Sequence, residues 1–147
     1  MDYRIMKQND IENCALTLMK AFKEEPWNEN WTYEQAYARI DEIMSAGVSR
    51  GYVIYDGDTV VSMLCGRIMT YLEFKELWVD EFSVHPDYQR QGIGTKMMEF
   101  VRAQLKEETE KISYIVLNIE KGYPSVKFYE ANGFKADESV VFMAADV

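Results

Sequence analysis

The chain has little with which to build a metal centre or a disulfide framework: two cysteines, Cys14 and Cys65, and one histidine, His85, in 147 residues. The cysteines lie far apart and form no CxxC pair, which excludes a zinc site of the usual kind. Both sit in apolar stretches, the setting of buried thiols. With one histidine in the chain, no serine or cysteine nucleophile has a second imidazole to serve it, so chemistry through an acyl-enzyme is not expected. No apolar run approaches the length of a membrane span, and the opening MDYRIMKQND lacks a basic segment followed by an apolar one. The expectation is a cytoplasmic protein that does not engage membranes. Basic residues are also in the minority, 16 against 25 acidic ones, for a net charge of −9. A general nucleic-acid binder needs a basic face to displace counterions from phosphates, so that class is set aside. The acidity suits a cationic small-molecule partner. There is no repeat, low-complexity tract or linker, and a single domain over 1–147 is expected.

What is present is the pattern of an α+β protein. Asp2 to Met6 alternate as a short edge strand. Asn9 or Asp10 caps a helix carrying Ile11, Ala15, Leu18, Met19 and Phe22 at helical spacing. Pro26 and the asparagines at 28 and 30 make the stretch from Lys23 to Trp31 a loop. Thr32 with Gln35 forms a capping box for a second helix bearing Ala36, Tyr37, Ile40, Ile43 and Met44, which Gly47 ends. Tyr52–Tyr55 and Thr59–Leu72 read as a hairpin about Asp56-Gly57-Asp58. Leu77–Val84 is a further strand, and a helix with Met97, Met98, Val101 and Leu105 starts just after Gly92. Ile112–Ile119 reads as a buried strand, Pro124–Ala131 as a short helix, and Val140–Ala144 as a last strand.

The most informative segment is Val84-His85-Pro86-Asp87-Tyr88-Gln89-Arg90-Gln91-Gly92-Ile93-Gly94-Thr95. A strand ends, a loop turns through two glycines, and a long helix follows at once. The first turn of a helix presents amides without intrahelical acceptors and the positive end of the macrodipole. Glycine lets an anion approach that backbone closely, so the turn is a ready cradle for a pyrophosphate. It lacks the Gly-Lys-Ser/Thr ending of a P-loop and the full GxGxxG of a dinucleotide fold. His85, between the strand and Pro86, reads as a turn residue.

Gln89-Arg90-Gln91-Gly92-Ile93-Gly94 resembles the Q/R-x-x-G-x-G/A acetyl-CoA signature of the GNAT acetyltransferase superfamily. Val84-x-Pro86 before it, and Phe128-Tyr129-Glu130-Ala131-Asn132-Gly133-Phe134 downstream, resemble that family's context along nearly the whole chain. The PWNENW segment is similar to that of aminoglycoside 6'-N-acetyltransferase-like bacterial members. The resemblance implies a mixed, mostly antiparallel sheet flanked by helices, with a splayed central strand pair at 77–84 and 113–118. It implies direct transfer of an acetyl group from acetyl-CoA to a primary amine, without a metal. Peptide or protein amines as acceptors, and a non-catalytic CoA-binding module, are the alternatives.

On the same resemblance, the main chain of Phe82, Ser83 and Val84 would line the pantetheine arm. Gln89, Arg90, Gln91, Gly92, Ile93, Gly94 and Thr95 would hold the phosphates. Many relatives carry Asn-x-x-Ala where this chain has Gly122 and Ser125, and Asn118 is the candidate replacement for that contact. Glu81, on the strand leading to the loop, is the candidate base or substrate anchor, and Tyr129 the candidate proton donor to the departing thiolate. Trp27, Trp31 and Tyr33, with Glu24, Glu25 and Glu29 nearby, are candidates for binding an ammonium by cation–π and charge. A homodimer through the C-terminal strand or a sheet edge is a further expectation from relatives.

Overall fold

The Asp-Gly turn builds the centre of the fold. In a computed structural model describing residues 1–147, β2 (Ser49–Asp56) and β3 (Thr59–Tyr71) are joined by Gly57-Asp58, with Gly57 at φ 58°. A positive φ at this place gives a two-residue loop the twist of the strands it joins. By contacts the chain forms two compact units, Met1–Val116 and Leu117–Val147.

The first unit holds a five-stranded sheet in the order β1 (Asp2–Ile5), β2, β3, β4 (Phe74–Val84), β5 (Ile112–Val116). The first three pairings are antiparallel and β4–β5 is parallel. Before β2 come α1 (Ile11–Lys23) and α2 (Tyr33–Met44). The capping box at α2 forms: Gln35 N–H donates to Thr32 Oγ1 at 3.1 Å, and Thr32 N–H to Gln35 Oε1 at 3.0 Å. That helix stops at Met44, ahead of Gly47, where the Ser45 hydroxyl donates to the Glu42 carbonyl.

Strand alternation divides the core. Val53, Met63 and Cys65 face α1 and α2, joining Cys14, Leu18, Ala36 and Ile40 in one apolar cluster. Tyr52, on the other face, meets Phe100 of α3 (Ile93–Lys106), which buries Met97, Met98 and Val101.

β3 and β4 slip out of register where Cys65 opposes Glu81 while Gly66 opposes Val79, which leaves Asp80 as the extra residue of a bulge. Gly66 is obligatory there: a Cβ would lie 1.9 Å from the Trp78 carbonyl oxygen. On the opposite edge of β4, β5 pairs only along Lys75–Trp78, while β4 runs on to Val84. The expected splay of this pair is present in the sheet.

Two expectations need correction. The strand at 112–119 ends at Val116 and is half exposed, with Ser113 and Tyr114 open to solvent, because it is an edge strand paired on one side only. In the second unit, α4 (Ser125–Ala131) forms, but Val140–Ala144 is not a strand. Its β-branched and aromatic residues favour extended backbone, yet a strand exists only through a ladder partner. Here Val140, Val141, Phe142 and Met143 are all strongly exposed, Phe142 at 79%.

Candidate active site

The loop after β4 is braced by its own side chains. Gln89 Nε2 donates to the Val84 carbonyl at 3.0 Å and Gln91 Nε2 to the Asp87 carbonyl at 2.9 Å. His85 is buried and accepts Asp87 N–H on Nδ1 at 3.2 Å, while its Nε2 lies 3.4 Å from Lys20 Nζ. Burial, then the Lys20 charge, lowers its pKa. A histidine closing a turn is what the sequence led us to expect, and its lowered pKa favours the neutral imidazole. Arg90 takes φ 60° and Gly92, the N-cap of α3, φ 78°. Lys96 N–H is the first to find a helical acceptor, the Gly92 carbonyl at 3.0 Å. The amides of Ile93 and Gly94 precede it and point out of the start of the helix. A Cβ built on Gly92 would meet nothing within 4 Å, so the backbone is open to approach there. The Gln89 and Gln91 side chains are spent on the loop, whereas Arg90 is exposed. Thr95, also exposed, sits in the first turn of α3.

The strand edge beside this loop has a definite direction. His85 N–H donates to the Val61 carbonyl at 2.8 Å while Val84 faces Ser62. Val84–Ser62 is therefore a non-hydrogen-bonded pair, and Val84's own N–H points away from β3. By period two the same holds for Phe82. Both amides face the side on which the β5 ladder has already stopped. This edge runs through the braced loop into the open helix start. Ser83, between Phe82 and Val84, is turned the other way: its carbonyl accepts from Ser62 Oγ at 3.0 Å, and its buried hydroxyl has no hydrogen-bond partner.

The two carboxylates before the loop turn to different partners. Asp80 is held by Arg67 through two bonds, of 2.8 and 3.0 Å. Glu81, with a side chain only 12% exposed, accepts from Arg39 Nε of α2 at 3.0 Å. Burial raises the Glu81 pKa; the Arg39 hydrogen bond and charge oppose this without cancelling it. Beside Arg39 lies an open pocket of about 550 Å3, walled by Glu29, Asn30, Trp31, Gln35, Ala38, Arg39 and Glu42. Trp31 is fixed there by its indole N–H on Glu29 Oε1 at 3.1 Å. Of the aromatic residues singled out, Trp31 alone lines this pocket. Trp27 packs edge-on against Phe22, and Tyr33 packs on the apolar cluster beside Tyr37.

Sequence reasoning missed Arg39. A signal existed: Gln35, Arg39 and Glu42 form a polar stripe at helical spacing, opposite Ala36, Ile40 and Ile43. Nothing local tells that this stripe reaches a carboxylate 42 positions away.

In the second unit, Tyr129 of α4 is buried, with its ring edge-on to Phe128 and Phe134 at 5.1 and 5.3 Å. The Phe134 amide donates to the Tyr129 carbonyl at 3.0 Å. Asn118 is exposed and lies past the end of β5 in irregular chain. Both thiols, Cys14 and Cys65, are buried, and burial raises their pKa, so neither is an activated nucleophile. No group of residues is arranged to hold a metal ion, and no helix is long and apolar enough to cross a membrane.

Comparison with known proteins identifies the family and agrees with the fold. Residues 15–134 match the model of the acetyltransferase (GNAT) family. An S-(2-succino)cysteine N-acetyltransferase of Bacillus subtilis is 21% identical over 145 residues, covering 90% of this chain and 82% of that protein. The chain spans only 17% of a tRNA(Met) cytidine acetyltransferase of Actinobacillus pleuropneumoniae, at 20% identity over 99 residues. Among solved structures, a possible acetyltransferase from Clostridium difficile superposes with a TM-score of 0.82 at 15% identity, covering 99% of this chain and 97% of the other. An aminoglycoside 6'-N-acetyltransferase of Acinetobacter haemolyticus gives 0.75 at 12% identity, covering 100% and 99%. The family match takes in the bulged strand, the braced loop, the open helix start and α4 together, and the chain belongs to the GNAT family of acetyl-CoA-dependent N-acetyltransferases.

Proposed function

We propose that this protein transfers the acetyl group of acetyl-CoA directly to the primary amine of a small cationic molecule. The observation that carries this reading is the pocket walled by Trp31, Glu29 and Glu42, joined through Arg39 to a desolvated Glu81 on the strand that feeds the phosphate loop. The acidic wall and the indole attract an ammonium. An amine with a pKa of ~10.4 is neutral in fewer than about one molecule in a thousand at pH 7, so its proton must be removed before attack. Glu81, its pKa raised by burial, is suited to take that proton, directly or through water. The amine nitrogen then attacks the thioester carbonyl, and the Val84 amide holds the developing oxyanion. The tetrahedral centre collapses as the C–S bond breaks; the attacking nitrogen gives up its surplus proton and the departing thiolate takes one up, leaving the amide and the free thiol.

Tyr129 is our candidate to assist that step at the departing sulfur. A phenol near ~10 giving a proton to a thiolate near ~8.5 runs uphill by about 2 kcal/mol, so its part is a strong hydrogen bond to the sulfur as charge develops. Amides at the start of α3 and the Arg90 guanidinium take the phosphates. Phe82, together with the Val84 carbonyl beside its bond from Gln89, pairs with the arm in the manner of an added strand. Asn118 is the candidate for a further polar contact to the arm. Action in the cytoplasm belongs to the same proposal. So does a homodimer, for which the exposed run at Val140–Met143 offers apolar surface.

The test is an amine panel of polyamines, aminoglycosides, amino-acid derivatives and peptides, monitored by release of free thiol from acetyl-CoA. Turnover confined to small amines supports the proposal. Preference for peptides would replace it with a peptide acetyltransferase, and acetyl-CoA binding without turnover of any amine with a non-catalytic module.

A further inference from the structure

We propose that Arg39 anchors an acid group of the acceptor, which makes the acceptor an α-amino acid or a derivative that keeps its carboxylate beside the reacting amine. The inference rests on the acetyl transfer to an amine proposed above, keeps the ammonium that Glu81 receives, and replaces a purely cationic acceptor with a zwitterionic one.

A guanidinium carries five N–H donors in a planar fork. Arg39 spends one of them within the protein, Nε on Glu81. Its terminal nitrogens have no protein partner: Glu42, one turn along α2, and Glu29 share the pocket wall with Arg39, and neither pairs with it. The side chain is 44% exposed and borders the pocket, so an occupant meets the unused end of the fork. That end suits a carboxylate, which two parallel N–H donors grip in one plane.

The pair also has the right order of charges. Glu81 and Arg39 are adjacent opposite charges held 3.0 Å apart. An α-amino acid head group is the complementary arrangement, an ammonium and a carboxylate on one carbon. Docked against the pair, each charge of the ligand faces its opposite. The ammonium meets Glu81, where the base is needed, and the carboxylate meets Arg39. A polyamine or an aminoglycoside approaching Glu81 would instead bring its positive charges against Arg39, a like-charge contact that selects against it. The buried position of Glu81 sharpens this, since an amine reaching it leaves water and gains from a compensating contact nearby.

The experiment compares matched sets in the thiol-release assay: α-amino acids, their α-amides and the amines left after removing the carboxylate. With the native protein, the acid should exceed its amide and decarboxylated counterpart in kcat/KM by about tenfold or more, an energy of one charge-assisted contact. In Arg39→Gln that ratio should collapse toward one through a rise in KM for the acid alone, and Arg39→Lys should recover part of it. Loss of Arg39 also alters Glu81, but this acts on every amine alike and cancels in the ratio. Circular dichroism checks that the variants, altered on an exposed side chain, keep their fold. Equal or better use of the amides by the native protein would overturn the proposal. So would a silent set of acids while calorimetry shows acetyl-CoA bound. If the folded protein takes up no acetyl-CoA, the enzyme reading itself fails, and this inference falls with it.

Discussion

Glu81 and Arg39 tie pH dependence to a single ion pair. A base must be ionised to work, so kcat/KM should fall as pH drops through the Glu81 pKa. Burial places that fall above the ordinary carboxylate range, and Arg39 keeps it from rising further. Removing Arg39 should therefore shift the acid limb to higher pH. Glu81→Gln should abolish the limb and lower turnover by about a hundredfold, the usual scale for a general base. A pH–rate profile for the three proteins checks both shifts; a limb that survives in Glu81→Gln would assign the base elsewhere. Tyr129→Phe should slow kcat by roughly ten- to a thousandfold with little change in acetyl-CoA affinity by calorimetry. An unchanged kcat would reduce Tyr129 to packing. At this scale the sequence was readable where position follows from neighbours: Glu81 lies on the strand ahead of the glycine loop and His85 closes the turn, as expected. It was silent on Arg39, because a helix stripe says what is polar and not what it meets.

The elements were legible in proportion to how local their causes are. The capping box at Thr32, the Asp-Gly turn and the helix start at Gly92 each lie within a few residues, and each formed where expected. The bulge at Asp80 was not legible, since it is a property of two strands in register. Gly66 is its price on β3. Gly66→Ala would drive a methyl group into the Trp78 carbonyl, and we expect a loss of about 3 kcal/mol or more in thermal unfolding. Activity should fall in the surviving folded fraction as well, because Glu81 takes its direction from this bulge. The run at Val140–Ala144 failed as a strand for the same reason in reverse: propensity without a partner makes no ladder.

Another long-range tie joins the start of β2 to the end of α3. Arg50 grips Glu108 through bonds of 2.6 and 3.1 Å, and that hydrogen bond lowers the Glu108 pKa. A carboxyl held below its unfolded value adds stability that is present above the unfolded pKa and lost as pH falls through the folded one. Glu108→Gln should thus cost roughly 1 kcal/mol at pH 7 and progressively less in acid. Denaturant titrations at both pH values test this; a difference independent of pH would mean that packing alone is at stake.

For the whole molecule, the α+β class and the element order as far as α4 were written in the alternation of the strands and the helical spacing between them, and the residue 15–134 family match agrees. What the chain as a whole adds is enclosure. Cys14 and Cys65 are both fully buried, in the cluster that α1 and α2 form on the sheet. A reagent that colours on meeting sulfhydryls should find none in the native protein, so colour in an assay would report the coenzyme's sulfur alone. In the absence of acetyl-CoA the same reagent becomes a clock, its slow reaction timing how often that shielded interior breathes open. Colour within seconds of mixing would mean that the interior opens far more readily than its packing implies.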